Sequence, residues 1–198
     1  MHMLKNLMSL SVIGLIVWTG CSKDSGSSAA PGASQGSEAS PAEGPQRSGK
    51  MVALTDGQIM QVLANVDSGE IEQAQVALSK STSPAVRQFA QHMVDQHTQS
   101  QQDAQQLSAE TKIIPSPSDP ATEVHTKGSN VLDKLNSADA TSFDKTYIQA
   151  QVQEHQDVLK MLNEKLIPSA SSSELRNALE KTKSMVQQHI DMAKQIQA

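Results

Sequence analysis

The 198-residue chain reads as an all-α protein. It is expected to be a four-helix bundle over residues 51–198 with a long crossover between its second and third helices, preceded by a signal peptide over 1–20 and a disordered linker over 21–50. Three observations carry this reading. From Leu54 onward, apolar side chains recur at the spacings of three, four and seven that place them on one face of a helix. Serine and threonine caps, glycine and proline punctuate the same region where helices start and stop. Glutamine is abundant, whereas aromatic residues are limited to two phenylalanines, one tyrosine and one tryptophan, a composition that favours helix over sheet.

The first helix opens at Thr55, with Gln58 three residues on to complete a capping box. Its stripe is Ile59, Leu63, Val66, Ala74 and Ala77, and it should stop near Lys80. Ser83-Pro84 starts the second helix, with serine as N-cap and proline in the first turn. Its stripe is Val86, Ala90, Met93, Ala104 and Leu107, and Pro115, Pro117 and Pro120 end it. The third long helix begins around Ala140 to Phe143, carries Ile148, Val152, Leu159, Leu162 and Leu166, and closes at Pro168. Ser171 to Glu174 read as a second capping box. The last helix carries Leu175, Ala178, Met185, Ala193 and Ile196.

Helices of about 25 residues are about 38 Å long, and four amphipathic ones must bury their stripes on one another. Short turns make the first pair and the last pair antiparallel hairpins. The middle connection, with a short helix expected over Ser129 to Asn136, is long enough to run the length of the bundle. Ferritin-like folds have one such crossover.

The N-terminus reads as an address. Lys5 gives a positive start and Leu7 to Trp18 an apolar run of about twelve residues, too short to cross a bilayer but right for a secretory signal. Thr19-Gly20 leads into Cys21, the only cysteine in the chain. A lone cysteine here is expected to carry a lipid anchor, although Trp18 stands where a bacterial lipobox usually has leucine. The alternative is an ordinary cleaved signal that leaves a free thiol. Ser22 follows the cysteine, which favours anchoring in the outer membrane, facing the periplasm, over the inner membrane. Ser22 to Lys50 is nearly all small, polar or proline residues and cannot bury enough surface to fold. As a flexible tether it would span roughly 30 Å on average.

The net charge of −5 and the absence of a basic run argue against nucleic-acid binding. The domain holds no Ser-His-Asp arrangement, no glycine-rich phosphate loop and no cysteine nucleophile, so no enzyme activity is expected.

Each stripe carries one polar residue near its middle: Glu70, His97, His155 and His189. Four such side chains from four helices should converge at one level of the core. They could form a hydrogen-bonded Glu–His network with no ligand. They could also hold one transition metal ion, since three imidazoles and a carboxylate suit zinc, copper, iron or nickel. A di-iron site needs Glu-x-x-His on two helices, and Val94 and Val186 stand where those carboxylates would be. Met93 and Met185 could add sulfur ligands for copper, although methionines at this spacing are usually core. His92 should face solvent, and His125 lies in the crossover.

The segments Gly69-Glu70, Phe89 to His97, Phe143 to Tyr147, His155 and His189 resemble the bacterial domain of unknown function 4142, over residues 54 to 197. The resemblance implies an exported or lipid-anchored protein with a ferritin-like four-helix bundle, and it carries no reaction. The expectation is therefore a non-catalytic cell-envelope protein holding one metal ion or a small ligand, its protein partner unknown. The alternative is a structural or stress-related interaction module whose polar core only fixes helix register.

Overall fold

The computed structural model describes residues 53–197. The expected signal peptide at 1–20, the lipidation site Cys21 and the linker at 21–50 lie outside those residues. The described residues are helical and contain no strand: α1 (Asp56–Lys80), α2 (Pro84–Thr111), α3 (Asp119–Ser137), α4 (Phe143–Met161), a π-turn (Leu162–Leu166), the short α5 (Ile167–Ser169) and α6 (Ser173–Gln197). Among them no helix is long and apolar enough to cross a membrane.

Local chemistry explains the helix starts. Thr55 and Gln58 form the expected capping box, and Ser83 accepts from the Val86 amide with Pro84 in the first turn of α2. At α6 the cap is Ser172, whose hydroxyl accepts from the Leu175 amide at 3.1 Å. Glu174 accepts instead from the Ser172 and Ser173 hydroxyls, so the capping box expected over Ser171 to Glu174 does not form. α2 ends before the prolines, at Lys112, whose left-handed backbone (φ 61°) closes the helix. Pro168 is absorbed rather than acting as a stop. The Ile167 amide donates to the Leu162 carbonyl five residues back, and this widened turn carries the chain through proline, which lacks an N–H of its own.

The crossover differs most from expectation. The short helix over Ser129 to Asn136 is the end of a 19-residue helix, α3. Ser118 caps it by accepting from the Ala121 amide, and Pro120 sits in its first turn. Pro120 thus starts a helix instead of only ending one.

α1 and α2 pack as one antiparallel hairpin and α4 and α6 as the other. The bundle closes through α2 against α6 and α1 against α4. α3 lies along α1 and runs back up the bundle. At its lower end Ser116 donates to the Gly57 carbonyl at 2.9 Å and Asn65 to the Ala121 carbonyl at 2.9 Å. At its upper end Lys80 donates to the carbonyls of Leu135, Asn136 and Ala138, with its ammonium over the Phe143 ring. Gly69 of α1 and Gly128 of α3 face one another with room for a Cβ on either.

Two apolar clusters fill the bundle. The lower one centres on Ile59, Leu63, Leu162, Leu166, Leu175 and Leu179. The upper one centres on Ala77, Phe89, Met93, Leu135, Phe143 and Tyr147. On α6 the inward face is Leu175, Leu179, Val186, Ile190 and Ala193, so Leu179 and Val186 replace the expected Ala178 and Met185. Each large apolar side chain buried this way contributes about 1.5–3 kcal/mol, and the two clusters leave a polar layer between them.

Candidate metal centre

That layer is built from positions midway along each helix. Asp67, Glu70 and Gln73 come from α1, His97 from α2, Gln151 and His155 from α4, and His189 from α6, and all are buried. His189 lies beyond the middle of α6, yet its ring reaches the others. Helical side chains tilt toward the N-terminus, which brings His189 back toward the centre.

The three imidazoles meet. Ring centroids are 5.9 Å apart for His97 and His155, 5.3 Å for His97 and His189, and 5.1 Å for His155 and His189. One nitrogen from each ring lies within 4.8 Å of the others. His155 Nε2 and His189 Nδ1 are 3.2 Å apart, close to the roughly 3.4 Å edge of a tetrahedral zinc site with bonds of about 2.0–2.1 Å.

Hydrogen bonds fix the ring orientations. His155 Nδ1 lies 2.9 Å from the Gln151 carbonyl. A carbonyl only accepts, so Nδ1 carries the proton and Nε2 presents a lone pair to the cluster. His97 Nδ1 donates to Asp67 Oδ1 at 2.8 Å, and Ser100 donates to the other Asp67 oxygen at 2.8 Å. His97 Nε2 is left facing inward. It and His189 Nε2 are buried without a protein hydrogen-bond partner. A carboxylate on the outer nitrogen of an imidazole is the arrangement that orients metal-bound histidines.

The electrostatics keep two of the rings, His155 and His189, neutral. Burial, and then the neighbouring His97, push His155 down to about 3. Burial, and then His155, His97 and His92, push His189 down to about 2. Neutral imidazole is the form that binds metal.

Glu70 does not join this group. Its Oε1 is 3.7 Å from His155 Nδ1, on the opposite side of the ring from the nitrogen that faces the other histidines. The two ring nitrogens diverge, so one ion cannot take both His155 Nε2 and Glu70. Glu70 belongs instead to a second polar group between α1 and α4. There Gln151 donates to Gln73 Oε1 at 2.9 Å and Gln73 donates to Glu154 Oε1 at 3.3 Å. Burial raises Glu70 to about 8, opposed by the Gln151 amide and assisted by Asp67. Burial, and then Glu70, raise Glu154 to about 9.

Asp67, Gln73, Gln151 and Glu154 were not expected from the stripes. Asp67 and Gln73 flank Glu70 at three residues on either side, and Gln151 precedes His155 by four, spacings that put them on the same faces. His92, expected in solvent, is half-buried with its ring edge-on to His189 at 5.5 Å. Met93 is core, Met185 is half-buried, and His125 is exposed on α3.

Fold and site together define an all-α bundle with a buried three-histidine core. The chain belongs to the family described as a domain of unknown function (DUF4142), whose family model matches residues 41–196. No curated protein and no solved structure matches it.

Proposed function

We propose that this protein is a non-catalytic, lipid-anchored binding protein of the cell envelope that holds one transition metal ion on His97, His155 and His189. The observation that carries the proposal is the set of three buried imidazoles, two of them with their outer nitrogens committed. Asp67 and the Gln151 carbonyl accept from Nδ1 of His97 and His155, which leaves both Nε2 lone pairs free, that of His155 3.2 Å from His189 Nδ1. Filling the site requires ring rotations on the order of 1 Å to bring all three nitrogens to bonding distance. The His189 proton would move to its far nitrogen. Imidazole ligands suit zinc, copper, iron or nickel. All three ligands are at most 2 % exposed, which favours a closed holding site over a catalytic one with an open position.

The rival reading is a polar core that only fixes helix register. Against it, His97 Nε2 is buried unsatisfied, a cost of about 1–3 kcal/mol that a self-contained network would avoid.

Mass spectrometry of metal bound to protein purified without a histidine tag, beside an H97A/H155A/H189A variant, tests the site. One ion per chain is expected in the native protein and none in the variant. Absence of metal, with no rise in melting temperature on adding zinc, copper, iron or nickel, would leave the structural reading in its place. The anchor is tested separately, since Cys21→Ser should move the protein from the membrane fraction to the soluble fraction.

A further inference from the structure

A centre whose three ligands are at most 2 % exposed needs a way in. On the seam between α2 and α6 the bundle carries an open groove of about 720 Å³, its lining including His92, Asp95 and Met192. An ion with about six waters occupies roughly 180 Å³ at about 30 Å³ per water, so a hydrated cation fits. Asp95 is exposed, and no lysine or arginine lines the groove to oppose it, so the mouth attracts cations. Asp95 follows His92 by three residues, which makes them neighbours on the surface of α2.

His92 joins this groove to the cluster. It is half-buried, and its ring lies 5.5 Å from that of His189, inside the 5.1–5.9 Å range that separates the three inner rings. It does not join the inner set, whose nitrogens all lie within 4.8 Å of one another. His189 is therefore the ring that both share. Its Nδ1 faces His155 and its Nε2 is buried without a protein partner, so one nitrogen is left for an ion arriving from outside. The lower groove on the same seam, lined by Ser100 and Met185, contains no histidine.

We propose that His92 is the entry ligand of the buried centre. With Asp95 beside it, His92 captures a transition metal ion in the groove and passes it to His189, whose ring hands it on to His97 and His155. The ion exchanges water for imidazole one ligand at a time, and is never left uncoordinated in the core, where an unpaired charge is costly to bury. The proposal rests on the reading of the three inner histidines as metal ligands. An entry ligand is left behind when the ion moves on, so His92 sets the rate of exchange and not the affinity.

Zinc is the probe. Metal-free full-length protein is mixed by stopped flow with Zn²⁺ held on a fluorescent indicator, which gives the rate of uptake, and the endpoint of the same competition gives the dissociation constant. Wild type, H92A, H92Q and M185L are compared, with circular dichroism to check that each folds. Both His92 variants should take up zinc at least about tenfold more slowly than wild type, with the dissociation constant unchanged, and M185L should match wild type. Glutamine keeps the groove filled, so slowing in H92Q as well as H92A assigns the effect to the imidazole. Uptake by the His92 variants as fast as wild type or faster, weaker binding at an unchanged uptake rate, or slowing in M185L alone would each overturn the entry role and leave the three-histidine site standing. No zinc bound by wild type would overturn the entry role together with the site as a zinc centre.

Discussion

Stability should peak at mildly acid pH in the absence of metal, because the two buried polar groups titrate in opposite senses. Glu70 and Glu154 are raised from an ordinary 4.5 to about 8 and 9, so the folded protein keeps protons that the unfolded chain has lost. Their contribution is complete below pH 4.5 and falls as pH rises toward 8 or 9. His155 and His189 are lowered from 6.5 to about 3 and 2, so the unfolded chain gains protons that the folded protein refuses. Their contribution is complete above pH 6.5 and is lost as pH falls toward 3. Between 4.5 and 6.5 the two slopes oppose one another. Above 6.5 only the carboxyls act. The pair repels, so counting one retained proton at about 1.4 kcal/mol per pH unit gives a loss of about 2 kcal/mol between pH 6.5 and 8. For a domain of this size that is a fall in melting temperature of about 4–8 °C. Thermal melts followed by circular dichroism in chelator, at pH 5.5, 6.5, 7.2 and 8, measure it. E70Q/E154Q should flatten the decline, since amides do not ionise. A wild-type melting temperature that stays level or rises from pH 6.5 to 8 would refute the buried, proton-retaining carboxyls.

Asp67→Asn should weaken zinc binding at the histidines by about 10–100-fold in isothermal titration, because it removes the charge that orients His97; unchanged affinity would mean that His97 needs no orienting. Gly57→Ala should destabilise the fold by about 1–3 kcal/mol in urea melts, since the new Cβ would lie 2.4 Å from the Ile114 carbonyl oxygen; a stabilised variant would contradict that contact. Gly128→Ala should do the reverse, stabilising by about 0.5–1 kcal/mol, because its Cβ would meet nothing closer than 3.9 Å.

The histidines were legible in the sequence because each interrupts an apolar stripe, and a lone polar residue on such a face has nowhere to go but the core. Asp67 was equally placed, three residues before Glu70, but an aspartate looks like ordinary helix surface until a partner on another helix is known. Gln73 and Gln151 were hidden by the abundance of glutamine, most of it on exposed faces. Glu154 lies about 100° around α4 from His155 and meets the polar layer through Gln73 of α1. α3 itself was missed over its first half. Ser118-Asp119-Pro120 carries the same cap-and-proline signal as Ser83-Pro84, but the preceding Pro115 and Pro117 made the segment read as an extended breaker.

The distribution of the three histidines also sets an order of events for the folding chain. His97 and its partner Asp67 belong to the first hairpin, and His155 and His189 to the second. Each hairpin forms from neighbouring stretches of chain and closes quickly, whereas docking the two must wait for α3 to span the gap. Neither half carries the complete set of ligands, so a metal ion cannot template either one. An ion held there would arrive only once the halves have met, and it would then act as a rivet that slows their separation.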